Sequence, residues 1–263
     1  MIDALTQPFA EFAFMRRALI GCLALSLSAP PIGVFLVLRR MSLMGDVMGH
    51  AILPGAAIGF LLAGLSLFAM SLGAFASGLA VALAAGLVAR TTILREDASL
   101  ADFYLVSLAL DDAAILLLAA IATVSLATLA IIYRPLVLEC FDPQFLRSVS
   151  NLSSPTHLIF LVLVVLNLVA GFQALGTLMA VGIMLLPAVA ARFWAADVSG
   201  MILVAMGGAF ASSVTGLLLS YYANLPTGPA IILLCGVFYL LSLVVGVRGG
   251  LVWGLLPRKH LEA

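Results

Sequence analysis

Long apolar runs separated by short polar or glycine-containing breaks set the pattern of this chain, at about 18–38, 43–64, 67–89, 113–132, 157–171, 174–191, 198–222 and 228–247. Most are near the length of about 20 residues that a helix needs to cross a hydrocarbon core of about 30 Å. The 35-residue stretch 157–191 would make a helix of about 52 Å, too long for one crossing, and Gly171 and Gly176 sit where a tight turn divides it in two. Residues 99–110 are the difficult piece, because twelve residues give only about 18 Å of helix. Charge argues the other way. With a crossing there, Arg39, Arg40, Arg90, Arg95, Arg134, Arg147, Arg192, Arg248, Arg258 and Lys259 all fall on one side, leaving only Arg16 and Arg17 on the other. The expectation is an all-α polytopic membrane protein of eight or nine transmembrane helices, several broken by Pro or Gly, in one domain covering 1–263, with the N-terminus outside and the C-terminus in the cytosol.

Composition hardens this picture. Hydrophobic residues make up 64% of the 263 and charged residues only 9%, which leaves too little polar surface for a water-soluble fold. Twelve basic residues balance twelve acidic ones, so no basic surface suggests nucleic acid. The only lysine, Lys259, is followed by His260, so the chain holds no phosphate-cradling Walker A loop, and any ATP that drives it binds another chain. Cys22, Cys140 and Cys235 share no pair spacing and read as small apolar fillers. Arg16 and Arg17 precede an apolar run like that of a signal peptide, but the run continues through Pro30 and Pro31 without a cleavage site and reads as a retained first helix.

The largest polar interruption, 133–156, divides the chain into unequal halves and lies on the basic side. It reads as a loop, about 134–156, carrying a short amphipathic helix capped by Asp142 with Pro143 in its first turn. That helix either rests on lipid or docks a cytosolic partner.

Candidate chemistry concentrates in LMGDVMGHAILPGAAIGF, where Asp46 and His50 stand four residues apart on one helical face in an otherwise uncharged run. A carboxylate near the bilayer centre costs at least about 2.5 kcal/mol, so such residues usually face a cavity or an ion path. The pair suits half a site for a divalent transition metal, a proton relay, or a structural hydrogen bond between helices. Gly45 and Gly49, then Gly55 and Gly59, repeat a small residue every fourth position and let a neighbouring helix approach. Pro54 cannot donate to the His50 carbonyl, and Pro187 in MLLPAVAAR marks another kink. His157, at the start of a run, reads as interfacial. No HExxH or Gly-x-Ser-x-Gly element suggests an enzyme.

The segment GVFLVLRRMSLMGDVMGHAILPGAAIGF, supported by YRPLVLECFDPQFL, ALGTLMAVGIMLLPAVAARFWA and LPTGPAIILL, resembles the ABC-3 permeases, the zinc, manganese and iron importers of bacteria. The resemblance covers nearly the whole chain. It implies a permease subunit of the bacterial inner membrane that pairs with a second permease subunit, identical or different. It also implies separate ATPase subunits that bind ATP and an extracytoplasmic metal-binding protein that delivers Zn, Mn or Fe as cargo, with no permanently bound cofactor. By the same resemblance, Asp46 and His50 are the metal residues, and Glu139, Phe141, Asp142 and Pro143 belong to the stretch that couples to the ATPase. The chain departs from the family between Leu110 and Asp111, where members carry about one further helix and loop. The alternative reading from the residues alone is a proton- or sodium-coupled carrier with Asp46 and His50 as its relay.

Overall fold

The computed structural model describes residues 2–91, 112–150 and 152–252. Every regular element among them is a helix: α1 (Ile2–Glu11), α2 (Ala13–Leu38), α3 (Ser42–Ala63), α4 (Leu67–Thr91), α5 (Asp112–Phe141), α6 (Pro143–Val149), α7 (Ser153–Leu175), α8 (Thr177–Ala191), α9 (Val198–Ala223) and α10 (Thr227–Val245). The eight apolar runs coincide with α2 to α5 and α7 to α10. Of these, α2, α5, α7, α9 and α10 are long and apolar enough to cross a membrane, while α3, α4 and α8 contribute shorter apolar stretches.

Local chemistry explains the breaks. Gly176 alone separates α7 from α8, and its φ of 95° is one that a side chain would oppose. The chain reverses there, and Gly171 lies so close to Ala180 that any larger residue would collide. Asp197 caps α9 by accepting from the Gly200 N–H at 2.7 Å.

The expectation that prolines break these helices needs correction, because α2 continues through Pro30 and Pro31, α3 through Pro54, and α8 through Pro187. Each proline removes one intrahelical hydrogen bond without ending its helix. The loop expected at 134–156 also shrinks. Helix α5 continues through Arg134 and Pro135 to Phe141, with Leu136 and Glu139 on its buried side, and α7 begins as early as Ser153.

Side-chain pairs define two faces of the bundle. At one, the end of α2 meets the end of α5 and the start of α7 through Arg39, Glu139 and His157. At the other, the start of α2 meets the start of α5, where Arg17 pairs with Asp112 at 2.8 Å. Helices α2 and α5 therefore run parallel. The α3–α4 hairpin is antiparallel, with Gly55 against Gly73 and Gly59 against Ala69, so α4 ends at the Arg39 face whereas α5 begins at the opposite one. The segment 99–110 lies outside the described residues, between these two ends.

The core has two stacked parts. Phe35, Ile52, Leu136, Phe160, Val165 and Met184 fill the half nearer Arg39. Cys22, Leu25, Leu118, Ile183, Leu217 and Ile231 fill the other. Large apolar side chains such as Leu61, Leu62, Leu65, Phe68, Leu203 and Leu240 remain exposed on the outside, as lipid contact requires.

Candidate functional site

Helix α3 carries Asp46 and His50 one turn apart, within its first three turns from the Arg39 face. The backbone sets both on one stripe of α3, and the His50 side chain is half-buried. The side chain of Asp46 is outside the described part of the structure. Neighbouring Gly45 and Gly49 turn toward α8: a Cβ at Gly45 would stand 3.3 Å from the Met184 methyl, and one at Gly49 would stand 3.3 Å from a methyl of Val181. The stripe is thus held close to α8 by the absence of side chains beside it. Deeper in, Gly55 and Gly59 serve a different partner, letting the α4 backbone come into direct contact.

Pro54 leaves the His50 carbonyl without the donor that an ordinary residue there would supply. One residue further along, the Ser77 hydroxyl of α4 donates to the Ala51 carbonyl at 2.8 Å, so a neighbouring helix ties this part of α3 by a side-chain hydrogen bond. Among the described residues, no group of three or more His, Cys, Asp or Glu side chains gathers in one place. The cysteines form no disulfide there, and Cys22 and Cys235 are buried apart from α3.

The residues expected to couple to a partner divide into two sets. Asp142 caps α6, accepting from the Phe145 N–H at 2.9 Å, and Pro143 opens the helix. Phe141 is 70% exposed and Phe145 52%, so two aromatic rings stand in the open on the Arg39 face. Glu139 turns the other way. Its side chain is only 6% exposed, and it pairs with Arg39 at 2.8 Å, so it contributes nothing to the outward surface of α6.

Around that pair lies a cluster that local spacing does not disclose. The Arg39 guanidinium donates to His157 Nδ1 at 3.1 Å and sits 5.1 Å from the centre of the Phe160 ring. The Ser153 hydroxyl donates to Glu139 at 3.4 Å. His157 is therefore more than an interfacial residue. Two further buried polar contacts tie helices together at depth: Asn167 donates to Ser125 at 2.7 Å, and Ser26 meets Ser213 at 3.3 Å. The adjacent arginines at 39 and 40 and the serine-rich runs were the available signals, but the partners are far apart in sequence.

A helical bundle with lipid-facing sides and an ionisable stripe on a glycine-packed helix defines a multi-pass membrane protein. The chain belongs to the ABC 3 transport family, which it matches over residues 11–111 and 106–246. The two matched stretches overlap over residues 106–111. Among its relatives, the manganese import system permease protein ScaB of Streptococcus pneumoniae is 28% identical over 94% of this chain and 96% of its own length. A probable iron transport system membrane protein of Haemophilus influenzae is 28% identical over 92% and 97%. The manganese transport system membrane protein MntC of Listeria monocytogenes is 26% identical over 92% and 94%. The solved structure described as PsaBC from Streptococcus pneumoniae in complex with Fab shares the fold, with a TM-score of 0.82 at 24% identity, covering 96% of this chain and 99% of that one. The chain is accordingly a transport protein and not an enzyme.

Proposed function

We propose that this chain is the permease subunit of an ATP-driven importer that moves a divalent transition metal, manganese or iron foremost, into the cytoplasm of a bacterium. The observation that carries the reading is the Asp46–His50 stripe, an oxygen and a nitrogen donor one helical turn apart on a helix packed into a membrane bundle of this family. The names of the manganese and iron relatives support the choice of cargo. Two protein donors make an incomplete coordination shell, which suits an ion that must leave again. A second permease subunit and the protein delivering the metal would complete the path.

Orientation follows from charge. Arg39, Arg40, Arg134, Arg147, Arg192 and Arg248 belong to the end of the bundle where α2 finishes, while Arg16 and Arg17 belong to the other, so the Arg39 face is cytosolic. Nine crossings then fit better than eight, because α4 ends and α5 begins on opposite faces. On the cytosolic face, Phe141, Asp142, Pro143 and Phe145 form the dock for the separate ATPase that the lack of a Walker A lysine calls for.

Replacing Asp46 and His50 by Ala, singly and together, tests the site. Accumulation of radioactive manganese or iron by whole cells should fall to the level of cells lacking the chain, while the ATPase still co-purifies with the permease. Unchanged uptake in the double variant would reject the site.

A further inference from the structure

We propose that the buried Arg39–Glu139 pair, held by His157 and Ser153, is a rigid joint that carries a displacement of α6 to α3 and its Asp46–His50 stripe. This rests on the reading of α6 as the ATPase dock and of α3 as the metal helix. It assigns a positioning role to Arg39, Glu139, Ser153 and His157, none of which is exposed.

The route is short on both sides of the pair. Glu139 lies three residues before the Asp142 cap, and the corner between α5 and α6 is tight, with the Asp142 N–H bonded to the Leu138 carbonyl at 2.8 Å. Arg39 lies three residues before α3. The turn that follows it is equally tight: the Arg39 N–H bonds to Phe35 O at 3.0 Å, Met41 N–H bonds to Leu36 O at 2.8 Å, and Arg40 takes a positive φ of 57°. Helix α6 packs against α5 and α7. A push on α6 reaches α3 both through the direct packing of α7 on α3 and through what fastens α5 and α7 to the end of α2, and on the second route the Arg39 cluster joins all three.

The cluster is built to move as one body. The Arg39 and Glu139 side chains are 8% and 6% exposed, so separating them would strand two charges away from water. The guanidinium has further anchors on α7 in His157 and the Phe160 ring, and the Phe160 ring in turn packs edge-on to Phe35 of α2, with centroids 6.3 Å apart. Glu139 has a second anchor on α7 in Ser153. The three helices are thus cross-tied at one level, directly beside the corner from which α3 departs. A lone ion pair would hinge, whereas a pair with anchors on a third helix transmits rotation as well as translation.

The test measures metal imported per ATP hydrolysed by the permease assembled with its ATPase and delivery protein in liposomes. The variants are Glu139→Gln, which strands the guanidinium, and Arg39→Met with Glu139→Met, which removes both charges and leaves apolar groups of similar length. The expected result is that the doubly substituted permease still assembles with the ATPase, while metal moved per ATP falls about tenfold, in the range for loss of one coupling element. A ratio equal to wild type in the double variant would overturn the joint, and so would failure of both variants to assemble, which would make the pair a folding element only. Wild-type permease runs alongside: if it imports no metal under ATP, the transport reading itself fails, independently of the joint.

Discussion

At the residue scale, small side chains set the shape of this bundle as much as large ones. Gly55 and Gly73 face each other across the α3–α4 hairpin with their backbones in contact, so Gly55→Val must push the helices apart. Overpacking of this kind costs about 1–3 kcal/mol. The variant should show a lower Tm in detergent than wild type. Gly207→Ala, at a position with open space around it, should leave Tm unchanged or slightly higher. Equal melting of the two variants would contradict the packing described for the hairpin. The repeat of glycines every fourth residue announces close packing in the sequence, yet not that Gly45 and Gly49 serve α8 while Gly55 and Gly59 serve α4. That division depends on the position of α8, set by contacts more than a hundred residues away in the chain. The Arg39–Glu139 pair was hidden for the same reason, since residues a hundred apart have no shared periodicity to betray them.

At the element scale, α6 shows what local chemistry does make legible. Asp142 followed by Pro143 is a helix start by its own geometry, and the structure forms that cap. Asp142→Ala should cost α6 about 1 kcal/mol. With only seven residues, the helix depends on this cap and on the burial of Leu146 against its neighbours. The expected outcome is faster amide exchange across α6 and weaker retention of the ATPase during purification, both largely recovered by Asp142→Ser, which keeps a capping oxygen. If the alanine variant held the ATPase as firmly as wild type, the dock would lie elsewhere. The end of α5 was less legible. Arg134 and Pro135 together look like a loop, but a proline forfeits only one hydrogen bond, and Arg134 stays exposed at the outer side of the helix. Burial of Leu136 and Glu139 offsets that loss and extends α5 to Phe141.

At the scale of the whole molecule, the parallel course of α2 and α5 carries the topology. The apolar runs were plain from the sequence because bilayer thickness imposes one length on them all. Their up or down sense was argued from the placement of the basic residues, because length alone left 99–110 undecided. The two charge pairs at opposite ends of α2 and α5 set those two helices parallel. In a background of Cys140→Ser, with Cys22 and Cys235 buried, a membrane-impermeant maleimide should label Asn224→Cys in intact cells. It should label Ala196→Cys only after permeabilisation. The reverse pattern would invert the bundle and remove α6 from the reach of a cytosolic ATPase.

The central claim is that this chain moves a divalent metal only when an ATPase partner drives it. The most direct measurement is manganese entry into liposomes holding the permease, with and without the ATPase and ATP, in the presence of the delivery protein. ATP-dependent entry that vanishes when the ATPase is omitted and survives a proton ionophore is the predicted result. Entry through the permease alone, abolished by the ionophore, would contradict the account and make Asp46 and His50 the relay of a proton-coupled carrier.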